Sequence, residues 1–138
     1  MAEFKLSGGC QCGAVRYTMH APARSLVHCH CAMCRKVHGA VFVSFSEVPA
    51  DKFTIEKGES NLANYDSSPG NHRRFCKTCG GHVVTTDDDL PDIVHLSTGT
   101  LDDGAHPGHP DGTESHIFVG SKVPWYEIHD GLPQTEEY

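Results

Sequence analysis

Seven cysteines fall into three tight groups, Cys10-x-Cys12, Cys29-x-Cys31-x-x-Cys34 and Cys76-x-x-Cys79. Thiols at such spacing commit stretches of backbone to turn around a common point, which few folds allow. The odd number argues against a disulfide framework, which would leave one thiol over. Clustered cysteines in a chain suited to a reducing, cytoplasmic setting more often bind metal. Gly8, Gly9 and Gly13 bracket the first pair, and Gly80 and Gly81 follow Cys79. There the chain can fold tightly around an ion where a Cβ would obstruct the turn. The Cys76–Cys79 knuckle needs two more ligands, and Cys10 and Cys12 offer them from 66 positions away, 76 minus 10. A Cys₄ shell that ties two distant segments together reads as a structural zinc site.

Four from seven leaves Cys29, Cys31 and Cys34. Leu26 to Cys31 reads as extended, which puts Cys29 and Cys31 on one face and His28 and His30 on the other. A tight turn through Ala32 and Met33 then returns Cys34 to the same ion. Three thiolates leave the fourth tetrahedral position open, as in a catalytic zinc site; a neighbouring histidine in that position would make the site structural. Spacing alone leaves both open. A ribbon of Cys31, Cys34, Cys76 and Cys79 is a further sorting, and it strands Cys10, Cys12 and Cys29.

An open Cys₃ zinc carries a net charge of about -1 and a soft shell, so it favours a fourth sulfur over a hydroxide. A substrate thiol held there loses its proton, and its sulfur can add to a carbonyl or leave as a carbon–sulfur bond breaks. The added charge calls for cations, and Arg35, Lys36, Arg73 and Arg74 stand next to the metal segments as candidate thiol-substrate contacts. His30 and His38 are candidate acid–base groups by proximity alone.

Between the cysteines the chain alternates. Val15, Tyr17 and Met19 oppose Arg16, Thr18 and His20, and Val41, Val43 and Phe45 share one side of Ala40 to Ser46. Short strands are also predicted at Phe4–Leu6, Phe53–Glu56, Leu62–Tyr65, His82–Thr86, Ile93–Leu96 and His116–Val119, with turns at Val48–Asp51 and Ser67–Asn71. No segment sustains a 3.6-residue period. The fold class is therefore all-β, largely antiparallel, in one domain over 1–138. The His/Pro/Gly stretch 102–115 is predicted as a long loop, with His106 and His109 as ordinary loop residues. Met1 to Leu6 holds no apolar run, so neither a signal peptide nor a membrane span is expected. A net charge of -7 without a basic run disfavours nucleic acid.

The chain resembles the glutathione-dependent formaldehyde-activating enzymes, which include centromere-protein-V-like members. The matching pieces are Gly8 to Tyr17, Cys29 to Lys36, Gly39-Ala40, Arg74 to Gly80, Gly99 to Asp103, His116 to Val119, Trp125 and Asp130 to Pro133. They occur in order over nearly the whole chain. The resemblance implies a β-tent of small antiparallel sheets around a structural zinc at Cys10, Cys12, Cys76 and Cys79, and a second, catalytic zinc at Cys29, Cys31 and Cys34. It implies a carbon–sulfur lyase, with glutathione as the small-molecule thiol and S-(hydroxymethyl)glutathione as the adduct split to formaldehyde. Two readings compete with it: a carrier that binds glutathione or another thiol without turnover, and a structural zinc protein that binds other proteins. Methionine sulfoxide reduction, known on a similar fold, needs a separate nucleophilic cysteine, and all seven are assigned to metal.

Overall fold

The computed structural model describes residues 3–138, and residues 1 and 2, where the stretch read as free of a signal peptide begins, lie outside it. The chain is all-β, in two sheets. β1 (Leu6–Gly9), β2 (Arg16–Met19) and β5 (Phe53–Lys57) form a small sheet in the order β1-β2-β5. The large sheet has seven strands: β10 (Glu114–Ile117), β3 (Ser25–Cys29), β4 (Val43–Pro49), β9 (Ile93–Ser97), β8 (His82–Asp87), β7 (Asn71–Cys76) and β6 (Leu62–Ser68), in that spatial order. Every strand pair is antiparallel except β10 with β3, which run parallel.

The face of β2 expected to be buried is buried, and Thr18 on its other side is buried as well. Val15, Tyr17 and Met19 are buried against Val48, Val83 and Leu96 of the large sheet. Each fully buried apolar side chain of this size contributes about 1.5–3 kcal/mol, so this seam holds the sheets together. A smaller apolar cluster of Val43, Phe45 and Ile117 surrounds Cys29 and Cys34.

Several boundaries differ from the sequence reading. β4 starts at Val43 instead of Ala40 and continues through Pro49, because fully buried Val48 anchors it to the core; only Ala50–Lys52 turns. Residues 71–76 form a strand, not just a lead-in to Cys76, since they pair on both sides with β6 and β8. The expected tight turn after Cys31 is instead a helix, α1 (Ala32–His38). Cys31 caps its start by accepting the Cys34 amide, and Gly39 ends it at φ 61°, a left-handed conformation that residues with a side chain rarely adopt. Seven residues are too few to show a helical period. After β10, the segment 133–137 lies along that strand, with His116 N donating to Pro133 O, Thr135 N to His116 O and Phe118 N to Glu137 O.

Candidate metal centres

The turn after β1 carries Cys10 and Cys12, and the turn after β7 carries Cys76 and Cys79. Their four sulfurs all lie within 4.8 Å of one another. Cys10 to Cys12 and Cys12 to Cys76 are each 3.7 Å apart. Tetrahedral Zn–S bonds of about 2.3 Å require sulfur separations of about 3.8 Å, which these two separations match. Donors already point at the sulfurs: Val15 N at Cys10 (3.3 Å), Asn61 Nδ2 at Cys76 (3.2 Å), Thr78 N at Cys76 (3.4 Å) and Gly81 N at Cys79 (3.4 Å). Gly80, at φ 78°, makes the knuckle that aims them. The Cys79 and Thr78 amides draw the Cys76 thiol down to about 6. Such donors stabilise thiolates, the form in which sulfur binds metal.

The other three cysteines come together at the junction of β3 and α1. Cys29 ends the strand, Cys31 caps the helix and Cys34 lies in its first turn, all within the same 4.8 Å limit. Hydrogen bonds from Cys29 and Cys34 pull Cys31 down to about 2, and those same contacts push Cys29 up. Cys34 N donates to Cys31 Sγ at 3.2 Å, and Arg73 Nη2 donates to Cys34 Sγ at 3.4 Å. Three clustered sulfurs with a guanidinium alongside suit a soft cation with one position to spare.

All three sulfur residues of this set, and none of the first, line a cavity of about 420 Å³. Its apolar side is Val27, Phe45, Ile117 and Phe118, and its polar side is Asn71, Arg73, Thr85, Asp87 and His95. Phe118 reaches the wall from the left-handed region, φ 56° and ψ 37°, which is costly for a bulky side chain. Sequence reasoning missed Asn71, Asp87, His95 and Phe118. The first three converge only through the β7–β8–β9 register, and nothing local marks the fourth.

Of the four predicted cations, only Arg73 reaches this cavity. It is 3% exposed, with Nε on Ser67 Oγ at 2.8 Å. Arg74, next along β7, points to the reverse face beside Glu59 and Thr86. Arg35 and Lys36 flank a separate shallow groove with Trp125. Neither predicted histidine lines the cavity. His38, in the last turn of α1, packs on Phe45 and His82, and burial lowers it to about 4. His30 is fully buried on the opposite side of β3, and burial likewise lowers it to about 4. It belongs to a chain of contacts: His116 Nε2 lies 2.7 Å from Asp130 Oδ2, and His116 Nδ1 lies 2.8 Å from His30 Nε2. That buried pair fixes the residue between two of the clustered cysteines. His106 stacks on His109, whose Nε2 meets Glu114.

Among the described residues, no helix is long and apolar enough to cross a membrane. Residues 5–121 match the family model of the glutathione-dependent formaldehyde-activating enzyme. A Halomonas elongata protein provisionally given that name is 28% identical over 130 residues, 89% of this chain and 80% of its own length. A Phaeosphaeria nodorum protein with the same provisional name is 32% identical over 57% of this chain, and an uncharacterized lyase of Schizosaccharomyces pombe 34% over 58%. The match spans only 42% and 55% of those two relatives. In fold, the chain is similar to a crystal structure of a Rhodobacter sphaeroides protein, with a TM-score of 0.60 and 20% identity, over 74% of this chain and 92% of the other.

Proposed function

The chain belongs to the glutathione-dependent formaldehyde-activating enzyme family, and on that premise we propose that it is a zinc-dependent carbon–sulfur lyase acting on a thiol adduct. The observation that carries this reading is the contrast between the two cysteine sets: four sulfurs close on themselves, while three stand in the wall of a cavity. In this reading Cys10, Cys12, Cys76 and Cys79 hold a structural zinc, and Cys29, Cys31 and Cys34 hold a second, reactive one. Zinc bound to the trio would supply a centre at which a substrate sulfur is stabilised as thiolate, and so as a leaving group. The adduct favoured by family membership is S-(hydroxymethyl)glutathione, which yields glutathione and formaldehyde.

The chain's own residues have defined tasks in this scheme. Arg73, held beside Cys34, offsets the charge that a fourth sulfur brings. Phe45, Ile117 and Phe118 exclude water from the carbon–sulfur bond. His95 is the one imidazole in the cavity wall, and burial lowers its pKa, so it is neutral and able to take the hydroxyl proton as the bond breaks. It takes the place of His30 and His38 in that role, since they lie outside the cavity.

The test is exchange of formaldehyde with glutathione, followed by NMR at equilibrium. The protein should hold two zinc ions and accelerate exchange well above the solution rate. Cys31→Ala should keep one zinc and lose the acceleration. Thiol binding with no acceleration would leave a carrier and refute the lyase.

A further inference from the structure

We propose that the cavity recognises an α-amino-acid group on the thiol, its carboxylate at Arg73 and its ammonium at Asp87 and Asn71. This rests on the thiol reading above and adds the class of molecule that carries the sulfur.

Arg73 and Asp87 line the same cavity. Arg73 is almost wholly buried, no carboxylate comes within ion-pair distance of it among the described residues, and its Nη1 has no hydrogen-bond partner. A guanidinium buried without a carboxylate is costly unless something completes it. The cysteine trio occupies Nη2 and Ser67 occupies Nε, which leaves Nη1 for a ligand. Two residues along the same face of β7, Asn71 Oδ1 is also buried and unpartnered. Asp87, opposite Asn71 in the register, takes only the Asp89 amide and has no cation partner among the described residues. The polar wall therefore offers an unfilled donor that favours an anion, then an unfilled acceptor and a carboxylate that favour a cation. They lie in that order leading away from the sulfurs. A carboxylate and an ammonium on one carbon match this sequence of charges, and the apolar residues that β3, β4 and β10 contribute to the cavity take the intervening methylenes. A simple carboxylic thiol would leave Asn71 Oδ1 unsatisfied and Asp87 without a cation, and a simple amine would leave Arg73 Nη1 unsatisfied.

Cobalt-substituted protein titrated with thiols reports sulfur binding through the thiolate-to-cobalt absorption, independently of turnover. The probes are cysteine, N-acetylcysteine, cysteamine, glutathione and N-acetylglutathione. Cysteine should bind at least tenfold more tightly than both its N-acetyl form and cysteamine if the free amino acid is the source. Glutathione should exceed N-acetylglutathione by the same factor if its γ-glutamyl end is the source. Asp87→Asn, which keeps the bond to the Asp89 amide, should abolish the preference for a free ammonium while leaving N-acetyl thiols unchanged. Equal affinities across each set, or a preference that Asp87→Asn leaves intact, would overturn the assignment and leave the thiol reading standing. Absence of the absorption band with every thiol would overturn the thiol reading itself.

Discussion

Replacing His116 by leucine tests how the cysteine trio is held. The two side chains have similar volumes, and the substitution removes the middle member of the Asp130–His116–His30 chain. His30 then keeps an N–H with no partner in a fully buried position, where its Nδ1 already has none. An orphaned buried donor costs about 1–3 kcal/mol. The Asp130 carboxylate faces water, rehydrates and adds little. About 2 kcal/mol, at roughly 4 °C per kcal/mol for a domain of this length, lowers the melting temperature by about 8 °C. His30 sits between Cys29 and Cys31, so the lost contact should also loosen one metal site and not the other. Calorimetry of the zinc-loaded protein gives the first quantity. Chelator-driven zinc release gives the second: the faster of two phases should accelerate and the slower stay unchanged. Asp130→Asn still accepts the His116 hydrogen bond and should move the melting temperature by less than about 2 °C. A His116→Leu protein as stable as wild type, or one that loses both ions together, would show that the chain does not position the trio.

Cys12→Ala should unfold or aggregate, because structural zinc contributes roughly 10 kcal/mol or more to folding, whereas Cys31→Ala should keep the fold; circular dichroism and zinc content distinguish them. Arg73→Met should weaken glutathione more than mercaptoethanol in cobalt titrations, the excess being ~1.5–3 kcal/mol, the range for hydrogen bonds to charged groups, while Arg35→Ala leaves both nearly unchanged. Burial lowers His38 and His82, so below pH ~6.5 the unfolded chain binds protons that the folded one refuses. Stability from this pair is full above pH ~6.5 and is lost as pH falls below it, for His38 down to about 4; His38→Phe should reduce that decline in urea melts. Phe118→Gly should leave the melting temperature within a few degrees, relief of left-handed strain of about 1–2 kcal/mol offsetting lost packing, while blunting discrimination between thiols.

The grouping of the cysteines was legible because short-range spacing and flanking glycines carry it. The strands with one buried face were legible for a similar reason, as in Val15, Tyr17 and Met19. The cations were harder. Arg73 and Arg74 are adjacent in sequence, yet strand alternation sends one into the cavity and the other to the reverse face. Arg35 and Lys36 follow Cys34 directly, but one and two residues around a helix is roughly 100° and 200° away from its side. Those distinctions follow from elementary geometry once residues 71–76 are seen as a strand and 32–38 as a helix, and neither segment announces itself. The pairing of β10 with β3, the histidine chain and the polar wall join residues far apart in sequence. Such contacts follow from sheet register, which local patterns do not encode.

The segment 133–137 bears on solubility as well as on the site. β10 is the outermost strand of the large sheet, and an outermost strand with free amides and carbonyls is a template for pairing with another molecule. Here the chain occupies that position itself, with Gln134 bridged in parallel to His116 and further bonds at Pro133, Thr135 and Glu137. Ending the chain before Pro133 would strip one wall residue, Tyr138, from the cavity and at once expose a strand edge beside the cysteine trio. A shortened protein should therefore associate through that edge, and its lost activity would report self-pairing as much as a damaged site. Point substitutions that keep the backbone in place separate the two effects.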